Sequence, residues 1–149
     1  MDYAELHCLT NFTFLRGASH AHELVETALR RGYKALAITD ECSLAGVVRA
    51  HVAAREHTDQ FKLIIGAEFR LDDGLRCVLL AQNRAGYGNL SALITRGRRN
   101  AGKGEYRLSR ADLEAGMDYC LALWLPAAQP KIEEALWLAR HFPGRAWIA

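Results

Sequence analysis

Apolar positions along this chain repeat with two different periods, and the periods alternate. Within His20–Arg31, Ala21, Leu24, Val25, Ala28 and Leu29 recur at the i, i+3, i+4, i+7, i+8 spacing of one helical face. Ser19 predicts the N-cap of that helix and Gly32 its C′ stop. On either side lie Tyr3–Leu9, which reads as a short strand, and Lys34–Thr39 (KALAIT), a buried strand. Ser43 then predicts the opening of a second helix, with Leu44, Val47, Val48 and Val52 as much of its inner face. Lys62–Leu71 is a strand that Asp72–Gly74 turns back into Arg76–Ala81, a hairpin pattern. Helical spacing returns over Tyr87–Arg96. It returns again over Arg110–Ala115, where Ser109 is followed three residues later by Asp112. Tyr119–Leu125 is another strand. Lys131–Phe142 is an amphipathic helix with Ile132, Ala135, Leu136 and Ala139 facing inward, ended by Pro143-Gly144, and Arg145–Ala149 begins a further strand.

Strands alternating with helices predict an α/β fold on a mostly parallel sheet. At 149 residues the chain is long enough for one domain, and 50% hydrophobic with 24% charged residues excludes disorder, a collagen-like fibre and a disulfide scaffold. No apolar run approaches the ~20 residues of a membrane helix, and MDYAELHCLT has no basic stretch leading an apolar one, so no membrane partner or secretory signal is expected. Cys8, Cys42, Cys77 and Cys120 form no C-x-x-C pair; reduced thiols in a cytoplasmic protein are expected, with Cys77 and Cys120 buried in apolar runs. A strand that stops at Ala149 without a following connection suggests a piece of something longer, with a closing edge strand as the alternative.

The net charge of +2 is small but uneven. Arg96, Arg98, Arg99, Lys103, Arg107 and Arg110 are opposed within their stretch only by Glu105. This run suits phosphates or an acidic partner, and equally a solvated loop and helix end. Working residues of βα folds gather at C-terminal strand ends. His7, Asp40, Glu41 and Glu68 fall at three such ends, and an imidazole with three carboxylates is a donor set for a divalent metal that activates water. The plainer readings are a hydrogen-bonded structural His7 and an Asp40 that caps the next helix. His20, His22, His51, His57 and His141 read as structural. Gly17-Ala18-Ser19 lacks the phosphate-loop pattern, and no nucleophile elbow or dinucleotide fingerprint occurs.

Tyr3–Val48 and Ile64–Leu71 (IIGAEFRL) resemble the start of a PHP domain, a family named for polymerases and histidinol phosphatase. The resemblance is closer to the N-terminal PHP domain of bacterial error-prone DNA polymerases, relatives of the polymerase III alpha subunit. Gly86–Leu113 and His141–Ala149 extend it over nearly the whole chain. It implies a distorted seven-stranded βα barrel, of which this chain would be an N-terminal part truncated at the C-terminus, without palm, fingers or thumb. Active members hold up to three metals. His7 matches the first histidine of the family's His-x-His motif, Asp40 the acid of Thr-Asp-His, and Glu68 the acid of Gly-Ala-Glu. Leu9 stands at the second histidine, Arg16 where polymerase members often have Asp, and Glu41 at the histidine of Thr-Asp-His. These departures imply a degraded metal site, with Arg16 paired to Asp40, Glu41 or Glu68. No catalytic residue is then expected in this segment. By the resemblance, the intact polymerase would use Mg²⁺ held outside this segment, primer-template DNA and deoxynucleotides. It would act in lesion bypass and damage-induced mutagenesis, with a sliding clamp and other mutagenesis proteins as partners. The competing expectation is a metal-dependent phosphoesterase or 3′→5′ exonuclease using the residual ligands.

Overall fold

The computed structural model describes residues 2–149, which divide into two compact units, the first ending at Ala67 and the second running over Glu68–Ala149. In the first unit, β1 (Ala4–Cys8), β2 (Ala35–Ile38) and β3 (Lys62–Arg70) pair in parallel, Ala4 against Ala35 and Ala35 against Lys62. The last three residues of β3 belong to the second unit. β2 is buried along its whole length, as its continuous apolar run requires. Helices α1 (Ala21–Arg30) and α2 (Val47–Ala54), with a 3-10 turn at Arg55–His57, complete the unit. The core joins Ala21, Val25 and Ala28 of α1, Leu36 and Ile38 of β2, Ala50 and Ala54 of α2, and Phe61.

Three sequence expectations are corrected here. His20, not Ser19, is the N-cap of α1; its backbone N–H donates to Glu23 Oε2 at 2.7 Å, which closes the first turn from the other side. The C′ stop is as expected: Gly32 has φ +72°, and Tyr33 N–H bonds back to the Ala28 carbonyl at 2.9 Å. Helix α2 begins at Val47 rather than after Ser43, whose Oγ instead accepts the Ala45 N–H at 3.1 Å in a local turn. Its inner face is Val47, Ala50 and Ala54, while Val48 and Val52 are exposed. Small residues face the unit's core, where α2 packs with Ala21, Val25 and Ala28 of α1, and the chain entering α2 runs close to β2's end. A Cβ at Gly46 would lie 2.9 Å from Asp40 Oδ2.

The second unit holds β4 (Arg76–Ala81), α3 (Arg84–Arg99), α4 (Arg110–Glu114), β5 (Cys120–Trp124), α5 (Ile132–His141) and β6 (Ala146–Ile148). The expected turn is present: Leu71 N–H bonds to the Leu75 carbonyl at 2.8 Å, and Gly74 has φ +94°. β4 pairs antiparallel with β5, and β5 pairs parallel with β6. With both first-unit pairings parallel, the α/β class with mostly parallel strands stands. Helix α3 is longer than its apolar period, since Asn83 caps it by accepting the Gly86 N–H at 3.0 Å. Ser109 and Asp112 form the expected box at α4: Asp112 Oδ2 accepts from Ser109 N at 2.8 Å and Ser109 Oγ at 2.9 Å. Helix α5 turns a different face inward than expected. Ile132, Leu136 and Ala139 are exposed and Ala135 is half-buried, while Glu134 and Leu138 are buried. Glu134 is drawn inside by the Trp124 indole, whose Nε1–H donates to it at 3.0 Å. Cys77 and Cys120 are buried, and all four cysteines are free thiols. No helix among the described residues is long and apolar enough to cross a membrane.

Candidate functional site

At the end of β2, Asp40 is completely buried. A buried carboxylate must find donors or a cation, because desolvating an unpaired charge is prohibitive. Asp40 finds three donors in the loop that follows β1. Oδ1 accepts from Thr10 N at 2.8 Å and Thr13 Oγ1 at 2.7 Å, and Oδ2 accepts from Thr10 Oγ1 at 2.8 Å. Thr13 Oγ1 in turn accepts the Glu41 N–H at 3.0 Å, so one hydroxyl ties both acidic residues to the loop. The neighbouring Thr39 binds strand to strand, its hydroxyl accepting the Cys8 N–H at 2.9 Å. Beyond Thr13 the loop folds tightly: Gly17 N–H bonds to the Thr13 carbonyl at 2.9 Å, and a Cβ at Gly17 would stand 1.9 Å from the Thr10 carbonyl oxygen. That close approach is why glycine is needed there. The loop presents Arg16, whose Nη1 lies 2.6 Å from Glu41 Oε2 in a charged hydrogen bond.

His7 is half-buried on β1, and its backbone N–H donates to Glu5 Oε1 at 3.0 Å. Glu68, in the second unit, is buried, and Arg76 Nη2 lies 2.9 Å from its Oε1. Of the residual metal candidates, the structure thus ties Asp40 and Glu41 into one loop and gives Glu68 its own arginine. Both oxygens of Asp40, and one oxygen each of Glu41 and Glu68, receive hydroxyl, amide or guanidinium donors. Leu9 offers no donor atom, and a fixed cation, Arg16, occupies the approach to Glu41. Among the described residues no group of three or more His, Cys, Asp or Glu is arranged to hold a metal ion. Of the three carboxylates open to Arg16 in the sequence, the structure pairs it with Glu41.

Thr10, Thr13 and Arg76 were not singled out by sequence. Two threonines three apart after a strand carry no periodic signal. Opposite charges at 68 and 76, flanking a turn at Asp72–Gly74, were a usable sign of the third.

The basic run divides into two kinds of residue. Arg96 Nη1 donates to the Asp112 carbonyl at 2.9 Å and lies 3.8 Å from its carboxylate. Arg98 donates to the carbonyls of Gly104 and Glu105 at 3.3 Å each and lies over the Tyr106 ring, 5.5 Å from its centre. Arg110 Nε pairs with Asp73 Oδ2 at 2.5 Å and lies over Trp137 at 5.1 Å. Arg99, Lys103 and Arg107 are exposed. Arg96 and Arg99 also line an open groove on α3 with Ser91, Ala92, Thr95 and Asn100. Burial raises the Asp73 carboxyl, but the Leu75 N–H and the Arg110 guanidinium outweigh it and hold the group below its usual range.

The PHP domain profile matches residues 5–144. The chain belongs to the PHP family. It is 63% identical over 147 residues to an error-prone DNA polymerase of Methylococcus capsulatus, and 58% identical over 153 residues to one of Dechloromonas aromatica. The matches cover 98% and 99% of this chain but 14% and 15% of those relatives, so the chain spans about one-seventh of their length. Among solved structures, a metal-dependent phosphoesterase of Bifidobacterium adolescentis superposes with a TM-score of 0.70 at 15% identity, covering 99% of this chain and 76% of that one. An amidohydrolase of Chromobacterium violaceum reaches 0.53 at 23% identity over 65% of this chain and 34% of its own. Both likenesses bear on the fold alone.

Proposed function

We propose that this chain is the N-terminal PHP segment of an error-prone DNA polymerase that acts in lesion bypass and damage-induced mutagenesis. The identity to polymerases of that name, sustained over nearly the whole chain, carries this reading. In it the segment is a scaffold with an inert metal site. The intact cytoplasmic polymerase takes primer-template DNA and deoxynucleotides, holds Mg²⁺ outside this segment, and works beside a sliding clamp and other mutagenesis proteins. The observation that supports inertness is Arg16 bonded to Glu41 beside an Asp40 whose oxygens receive three protein donors. A fixed internal cation replaces the positive charge that a metal would supply, and it cannot polarise water as a Lewis acid.

The test has two arms. The full-length polypeptide carrying this segment should extend a primer across an abasic template site with Mg²⁺ present; absence of templated incorporation overturns the polymerase reading. The same polypeptide, equilibrated with Mn²⁺ and Zn²⁺ and desalted, should retain no stoichiometric metal by mass spectrometry. It should also hydrolyse a chromogenic phosphodiester no faster than its His7→Ala variant. Retained metal, or hydrolysis that His7→Ala abolishes, overturns the inert site and favours a phosphoesterase.

A further inference from the structure

We propose that the exposed groove along α3 is a binding track for a nucleic-acid phosphate backbone, with Arg96 and Arg99 in the groove and Lys103 and Arg107 beyond it. This rests on the polymerase reading above and assigns one surface to it. Helix α3 carries four arginines and no acidic residue in its 16 residues. Its groove floor is small: Ser91, Ala92 and Thr95. The two hydroxyls bond back along the helix, Ser91 Oγ to the Tyr87 carbonyl at 2.9 Å and Thr95 Oγ1 to the Ser91 carbonyl at 2.8 Å. The floor is therefore low and uncharged, and a polymer can approach the helix closely. Ser91 to Asn100 spans about 13 Å at the helical rise of ~1.5 Å per residue. Along a duplex axis, at a rise of ~3.4 Å per nucleotide of each strand, that length corresponds to about four base-pair steps.

Arg96 is held in place by Asp112, with both contacts on the single nitrogen Nη1. A guanidinium presents a planar fork of donors, so one tethered nitrogen orients the others toward a phosphate. Arg98 and Arg110 take no part in the track, because they are committed to loop carbonyls and to Asp73. The opposing explanation is that arginines in the last turn of α3 only complement its own dipole. That explanation does not reach Lys103 and Arg107, which lie outside the helix. It also predicts that mutation moves stability and leaves binding alone.

The experiment measures fluorescence anisotropy of labelled primer-template DNA with the full-length polypeptide, titrated between about 50 and 200 mM KCl. Arg99→Glu with Lys103→Glu should weaken binding and lower the salt slope by about 2, at ~0.9 per lost phosphate contact. The milder pair Arg99→Gln with Lys103→Gln should do the same in lesser degree, with an unchanged melting temperature. The charge-matched control, Arg30→Glu with Arg31→Glu at the C-terminal end of α1, should leave the slope unchanged. Equal effects of the two Glu pairs, or a slope unmoved by the α3 changes, overturn the track. A lowered melting temperature with an unmoved slope assigns the arginines to the helix dipole. Binding of an acidic protein instead of DNA, lost in the α3 variants while the DNA slope is unmoved, also overturns it. If wild type shows templated incorporation and yet the α3 variants bind normally, the track alone fails. If wild type shows no incorporation, the polymerase reading fails.

Discussion

Thr13, which the strand-end pattern does not select, links two acidic residues that it does, Asp40 and Glu41. Its hydroxyl donates to Asp40 and accepts from the Glu41 N–H, so removing it strips a buried carboxylate of a donor and a backbone amide of its acceptor. Thr13→Val, nearly isosteric, should destabilise the protein by about 1–3 kcal/mol, since it removes one hydrogen bond to a buried carboxylate that keeps its two Thr10 donors and leaves the Glu41 N–H without its acceptor. Urea unfolding checks this, and a loss within error would show that water replaces the hydroxyl at no cost. Leu15, two residues on, is the opposite case. It sits at φ +64° with its side chain 89% exposed, so it bears left-handed strain without any packing in return. Leu15→Gly should raise stability by up to about 1 kcal/mol, the lower end of the cost of such a conformation. A decrease would mean that the entropy glycine adds to the unfolded chain outweighs the strain. Neither role was legible in sequence. Asp40 stood out because an acid after a buried strand is conspicuous, whereas its hydroxyl partners belong to an aperiodic loop.

Helices were legible where their signals are local. The Ser109–Asp112 box and the Gly32 stop are patterns within a few residues, and both formed as read. The start of α2 is set instead by a long-range contact, the approach of Gly46 to Asp40, which no local window contains. The inner faces of α2 and α5 were misassigned for a related reason. Size and hydropathy pointed to Val48, Val52, Ile132 and Leu136, but close packing selected Ala50 and Ala54 on α2, and an indole donor selected Glu134 on α5. The prediction at this scale is a contrast. Ala50→Leu adds volume where no room exists and should cost about 1–3 kcal/mol or more. Val48→Ser, on the exposed side, should change stability by no more than about 0.5 kcal/mol. Thermal or chemical denaturation of the two variants checks it; equal effects would restore the face read from the sequence.

Over the whole molecule the modest charge of +2 is an average of unlike halves. Met1–Ala67 has seven Lys and Arg against eight Asp and Glu, and Glu68–Ala149 has twelve against nine. The βα alternation was enough to give the class, because burial of β2 and the amphipathic period of α1 are properties of whole segments. The pH dependence of stability is not written in segments; it follows from which groups the fold buries. At the acid end, Asp73 is held below its usual pKa, so its contribution is complete above the unfolded carboxyl value of 3.8 and is lost as pH falls through the folded one. Arg110→Ala should therefore reduce stability at neutral pH and narrow its gap to wild type below pH ~3. At the alkaline end the sign reverses. Burial pushes Cys77 up to about 12, and Cys8 and Cys120 up to about 11, from 9.0. Their neutral forms are favoured by the fold, so stability is intact below pH 9 and declines as pH rises toward the folded values. For Cys77 alone the loss should reach about 2 kcal/mol near pH 10.5, at ~1.36 kcal/mol per pH unit above 9. Urea unfolding at pH 7.5 and 10.5 measures it as a difference between wild type and Cys77→Ala. The alanine variant, weaker at pH 7.5 through its lost packing, should lose less on the way to 10.5. A parallel decline in both would place the alkaline sensitivity outside the Cys77 thiol.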